Sequence, residues 1–107
     1  MKSSNNDLVL KYDKILLDMG RRVVLVDNKF VCLRNKEFSL LEYFMRNAGR
    51  VLSRTEILED VWGRNICCPT NTVDVHVSKL RKKLGAHLSS GFIRTVHCVG
   101  YIFQLSY

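Results

Sequence analysis

The hydrophobic period changes twice along this chain, and that alternation restricts the folds open to it. Residues 8–33 carry short apolar runs, "LVL", "KILLDMG", "RRVVLVDN" and "KFVCL", separated by turn formers. Short runs of this kind predict strands, and Asp27-Asn28 suits a hairpin turn, so the segment reads as a small antiparallel sheet. From Glu37 the apolar residues Phe38, Leu41, Phe44 and Met45 recur at intervals of three and four, which predicts an amphipathic helix ending at Gly49. Ser53 followed by Glu56 is a capping box. It opens a second helix with Ile57, Leu58, Val61 and Trp62 on one face, and Gly63 closes it. A third helix spans 70–85, with Thr70 or Asn71 as its N-cap and Gly85 as its stop. "FIRTV" and "GYIFQL" then return to strands, joined by His97-Cys98-Val99-Gly100 as a two-stranded hairpin. Sheet, three helices and hairpin in that order define an α+β chain.

A length of 107 residues suffices for one domain with a real core and not for two. The polar start, residues 1–7, reads as a disordered linker or tail, and 8–107 as the domain. The opening "MKSSNNDL" lacks the apolar middle of a signal peptide, and no run of eighteen apolar residues exists, so a cytoplasmic chain is expected. The net charge of +7 favours an anionic partner. Residues 70–107 carry over half of that excess, with 5 basic residues against 1 acidic.

The helix "TNTVDVHVSKLRKKLG" has two faces. At helical spacing Val73, Val77, Leu80 and Leu84 form a core stripe, and nearly opposite lie Thr72, Val75, Lys79 and Lys82, flanked by His76 and Lys83. A solvated face accounts for most charge runs, but Asp74 is the only acid here and cannot pair all four cations along the helix. Val75 has little purpose in water. In a DNA major groove it can pack on a thymine methyl, while Lys79 reaches guanine or a phosphate and Thr72 a base edge. Two helices before a basic-faced third suggest a helix-turn-helix reader with a long link, "GRNICCPT", and the hairpin reads as a wing. Closure of the core explains Ile93, Val96 and Phe103, but not Arg94, Thr95 and His97 beside the turn.

The ordered motifs "EFSLLE", "LSR", "VWG", "TVDVHVSKLRKKL" and "TV…GY" resemble the winged-helix effector domain of OmpR/PhoB-type bacterial response regulators. The resemblance covers roughly residues 8–105. It implies a winged helix-turn-helix with an N-terminal antiparallel four-stranded sheet, a three-helix core and a C-terminal β-hairpin wing. The implied activity is sequence-specific binding of double-stranded DNA in transcription control, with helix 71–84 in the major groove and wing 93–105 at the minor groove. By position, Thr72, Val75 and Lys79 match base-facing residues, and Arg54, Trp62, Asn71, His76, Ser78, Arg81, Thr95 and Tyr101 match backbone-facing ones. Lys82 adds a further phosphate charge, and Arg94 and His97 fall to the minor groove. Loop 63–70 matches a segment that can face RNA polymerase, and family members often bind tandem half-sites as dimers. No cofactor is implied. These 107 residues leave no room for the receiver domain that normally precedes such a domain, so the chain is expected to be either an excised effector domain or a solitary one.

Some positions depart from the family pattern. Asn71 stands where arginine is common. Arg34 replaces a small hydroxyl residue before the first long helix, so the cap is expected to move to Asn35. "HCVGY" replaces "RGVGY" in the wing, where His97 carries only part of a charge near neutral pH. Cys98 replaces glycine, at a strain of about 1 kcal/mol if the site needs a positive φ.

Two other readings stand beside DNA binding. One is a winged helix whose basic face binds an acidic protein. The other adds a thiol or metal switch through Cys67, Cys68, His76, His97 and Cys98, although their spacing matches no tetrahedral zinc motif. No nucleophile–base pair, paired carboxylates or phosphate-cradling glycine loop points to an enzyme.

Overall fold

The computed structural model describes residues 8–64, 69–85 and 92–104. The expected tail at 1–7, and Cys67 and Cys68 in the link, lie outside them. Strands β1 (Val9–Tyr12), β2 (Ile15–Asp18), β3 (Val23–Val26) and β4 (Lys29–Val31) form an antiparallel meander in chain order. Alternation selects its inner face: Ile15, Leu17, Val24 and Val26 are buried, while Leu16 and Leu25 point to the other side. Asp27 and Asn28 both take positive φ, 53° and 64°, as a two-residue hairpin turn between twisted strands requires.

Helix α1 (Asn35–Arg46) buries Phe38, Leu40, Leu41, Phe44 and Met45 against this sheet and the other helices. Two expectations are corrected at its ends. The cap stays at Arg34, because the Glu37 carboxylate accepts the Arg34 N–H at 2.9 Å, the half of a capping box that does not depend on the cap's own side chain. Asn35 is instead the first helical residue, and its Oδ1 accepts from Arg22 Nη2 at 2.6 Å. At the other end the helix stops at Arg46, and the Asn47 N–H closes on the Tyr43 and Phe44 carbonyls before Gly49, which has φ 86°.

A strand absent from the sequence reading follows, β5 (Val51–Ser53). It pairs with the C-terminal hairpin, β6 (Ile93–Val96) and β7 (Gly100–Phe103), so the wing belongs to a three-stranded sheet of order β5-β7-β6. Ser53 ends β5 and caps α2 (Arg54–Ile57): its Oγ accepts the Glu56 N–H at 3.1 Å, and Glu56 Oε1 accepts the Ser53 N–H at 3.3 Å. The helix does not continue as α to Gly63. Leu58–Trp62 form a π-helical turn, closed by the Gly63 N–H donating to Leu58 O and Glu59 O. Helix α3 (Asn71–Gly85) then inserts Val73, Val77, Leu80 and Leu84, all buried, into the core. Each such side chain contributes about 1.5–3 kcal/mol on burial. Phe103 joins the sheets, with Tyr12 edge-on at 5.1 Å and Phe92 at 6.2 Å.

Candidate nucleic-acid interface

With its core stripe buried, α3 presents the residues on its other side to solvent. Asn71, Val75, Ser78, Lys79 and Lys82 are exposed and Thr72 is half-buried. Val75 is 47% exposed, an unusual position for a valine on a helix whose other aliphatics are all enclosed. The three residues read as base-facing, Thr72, Val75 and Lys79, therefore lie along one outward face. On the wing, Arg94, Thr95 and His97 are likewise exposed, and so is Cys98 in the turn, where its φ is 64°.

The four cations of α3 divide by partner. Lys83 reaches back to α1, where its Nζ lies 2.6 Å from Glu37 Oε1. Glu37 is 1% exposed. Burial works to raise its pKa, but the hydrogen bonds from Lys83 and the Arg34 N–H outweigh that and hold the carboxyl below its ordinary value. Arg81 turns to the wing, donating from Nε to Ile93 O at 3.0 Å and from Nη2 to Thr95 Oγ1 at 2.7 Å. Lys79 and Lys82 form no ion pair among the described residues and stand free to meet an anion.

Asp74, the one acid on α3, holds a second set of partners. Its Oδ1 accepts from Arg54 Nε at 2.8 Å and also from the Tyr101 hydroxyl. The guanidinium carbons of Arg54 and Arg81 lie 5.1 and 5.2 Å from the centroid of the Tyr101 ring. Burial opposes ionisation of Asp74, yet the hydrogen bonds from Tyr101 and Arg54 prevail and lower its pKa. Burial and the neighbouring Asp74 raise that of Tyr101. Tyr101 is 4% exposed, so its ring and hydroxyl serve Arg54, Arg81 and Asp74 rather than the open surface.

Trp62 and His76 meet edge to face at 4.9 Å, both half-buried. A carbonyl can only accept, so the 2.9 Å contact from His76 Nδ1 to Thr72 O places a proton on Nδ1. Lys36 donates to Val61 O at 3.1 Å, with its Nζ 5.7 Å from the Trp62 ring centroid. Of the thiol and metal set, Cys67 and Cys68 lie outside the described residues, and His76 is tied to its own helix. No group of three side chains able to hold a metal comes together among the described residues. Nor is any described helix long and apolar enough to cross a membrane.

Sequence reasoning located the outward residues but missed Asp74, Lys83 and Glu37 as partners across elements. One signal was available, a lone acid kept on a helix otherwise basic.

A sheet-braced hairpin beside a helix with an exposed cationic face, carried on two further helices, is a winged helix-turn-helix of the DNA-binding class. Residues 28–103 match the family model described as "Transcriptional regulatory protein, C terminal". The chain belongs to that family, the DNA-binding effector domains of OmpR/PhoB-type response regulators, and these are regulators rather than enzymes. It is 46% identical over 92 residues to the transcriptional regulatory protein QseB of Escherichia coli O157:H7, covering 86% of this chain and 40% of that one. The response regulator DrrB of Thermotoga maritima, an OmpR/PhoB homologue, superposes with a TM-score of 0.80 at 26% identity, covering 91% of this chain and 44% of DrrB. The DNA-binding domain of Klebsiella pneumoniae RstA, solved in complex with the RstA box, gives 0.79 at 28% identity, covering 90% and 96%. The chain thus spans about two-fifths of the length of the curated relatives it matches.

Proposed function

We propose that this domain binds double-stranded DNA sequence-specifically, with α3 in the major groove and the β6–β7 wing at the adjacent minor groove. Thr72, Val75 and Lys79 face the bases. Arg54, Trp62, Asn71, His76, Ser78, Arg81, Lys82 and Thr95 face the sugar-phosphate backbone, and Arg94 and His97 face the minor groove. Tyr101 contributes from beneath, through the two arginines on its ring. The observation that carries this reading is Val75, exposed between Thr72 and Lys79 on the face opposite the core stripe. A solvated face has no use for it, and a thymine methyl does.

The remaining assignments follow the family. The domain acts in the cytoplasm as the effector of a two-component response regulator. It binds tandem half-sites as a dimer on DNA and meets RNA polymerase through loop 63–70. Selection of bound sites from a random duplex pool tests specificity and half-site spacing together. On a selected site the log–log salt slope should be about −4 to −5, for roughly five phosphates neutralised by Arg54, Lys79, Arg81, Lys82 and Arg94. A slope near zero, or a pool with no enriched sequence, would overturn the reading.

A further inference from the structure

Asp74 is the one carboxylate on α3, and it lies on the helix that presents the cationic face. Coulomb's law alone makes it a liability there, since a fixed negative charge opposes approach of a polyanion. Its geometry gives the opposite account. One oxygen of Asp74 takes both the Nε–H of Arg54, at 2.8 Å, and the hydroxyl of Tyr101. This joins three elements at a single atom: Arg54 opens α2, Asp74 is in the first turn of α3, and Tyr101 is on β7 of the wing. Arg54 is held to Asp74 through Nε and lies over the Tyr101 ring, so that hydrogen bond uses neither of its two terminal nitrogens. They form the planar fork that matches the oxygens of a phosphate.

We propose that Asp74 is a positioning residue for DNA binding: with Tyr101 it fixes the guanidinium of Arg54 so that its terminal nitrogens meet a backbone phosphate. Asp74 itself touches no DNA. The inference rests on the reading of Arg54 as a backbone contact. In effect the domain keeps a negative charge near its binding face because an ordered arginine is worth more to binding than the repulsion costs.

The two accounts predict opposite signs for Asp74→Asn. Binding is measured by fluorescence anisotropy across a salt series, on a labelled duplex selected by the wild-type protein and on a scrambled duplex. Net charge alone predicts tighter binding by the variant on both. Positioning predicts binding weaker by roughly tenfold on both, as expected for loss of an ordered charge-assisted phosphate contact, with the salt slope shallower by about 0.9. A variant that was merely less folded would lose active protein without changing that slope, and a thermal melt in the same buffers reports its stability. In an Arg54→Met background, Asp74→Asn should cost nothing further. Tyr101→Phe, which keeps the ring and removes the hydroxyl, should give a smaller loss in the same direction.

Equal or tighter binding by Asp74→Asn, while Arg54→Met still weakens binding, would overturn the positioning role and leave the interface standing. An undiminished Asp74→Asn effect in the Arg54→Met background would also overturn it. If Arg54→Met changed neither affinity nor slope, the backbone contact and the positioning role would fall together.

Discussion

Gly100 on β7 lies against the backbone of Leu52 on β5 with no room for a side chain between them. A Cβ at Gly100 would fall far inside van der Waals contact distance of the Leu52 carbonyl oxygen and 2.9 Å from both the Leu52 carbonyl carbon and Ser53 Cα. Backbone atoms cannot swing aside, so Gly100→Ala has to push β7 off β5 and loosen the base of the wing. We expect a loss of about 3 kcal/mol, at the upper end of ordinary overpacking, and a Tm lower by at least about 10 °C. A thermal melt unchanged within a degree or two would contradict the close approach.

That contact also marks a limit of what could be read from the residues. The stripe Val73, Val77, Leu80 and Leu84, the Ser53–Glu56 capping box and the Asp27-Asn28 turn are local patterns, and the structure forms all three. β5 is three residues long and exists only through pairing with β7, some fifty positions away, so no local period announces it. The same holds for the site. Exposure of Val75 and Lys79 follows from helical spacing, whereas the partners of Asp74, Glu37 and Arg81 are set by which elements pack together. A charge run in sequence thus became two free lysines, an arginine tied to the wing and a lysine tied to α1.

Val75 should read sequence and do little else. Its side chain is exposed, so Val75→Ala is expected to leave stability within about 0.5 kcal/mol. Preference for the selected duplex over one with its thymines replaced should fall roughly fivefold, as befits a single methyl contact. Binding to a scrambled duplex should barely change. Competition titrations with the two duplexes check this, and an unchanged preference would remove Val75 as a reader. If the basic face instead bound an acidic protein, the substitution would alter no duplex preference at all.

His97 lies in the wing turn and is exposed, where an arginine would carry a permanent charge. His97→Arg should tighten binding at pH 7.5 and steepen the salt slope by up to about 0.9. An affinity and slope unchanged by His97→Arg in an anisotropy titration would dismiss the contact.

Glu37 ties acid stability to the placement of α3. Its folded pKa lies below the ordinary value of 4.5, so the ion pair with Lys83 contributes fully above that pH. The contribution is lost as the pH falls through the depressed folded value. Glu37→Gln keeps an acceptor for the Arg34 N–H but not the charge opposite Lys83. Lys83 is partly exposed and recovers some hydration, so the cost at pH 7 should be about 1–3 kcal/mol. Urea melts from pH 7 down to pH 3 should show the variant losing less stability over that range than the wild-type protein, with the two curves converging at the acid end. Parallel curves would show that Glu37 carries no pH-dependent part of the stability.

Cys98 and Arg22 share a backbone conformation and should respond in opposite senses to glycine. Their φ values are 64° and 55°, in the left-handed region where a side chain costs about 1 kcal/mol. Cys98 is exposed in the wing turn, where the backbone is closed by the Val99 N–H donating to Val96 O at 3.0 Å, a bond that needs no side chain. Cys98→Gly should therefore be neutral or stabilising by up to about 1 kcal/mol, the gain offset in part by a more flexible unfolded chain. Arg22 spends its strain on contacts. Its Nη2 donates to Asn35 Oδ1 at 2.6 Å and its guanidinium carbon lies 4.2 Å from the centroid of the Phe38 ring, so it pins the first sheet to the start of α1. Arg22→Gly relieves the same strain but removes those contacts, and a net loss of about 1 kcal/mol is expected. Chemical denaturation of both variants decides the matter, and a stabilised Arg22→Gly would show that the link between sheet and helix contributes nothing.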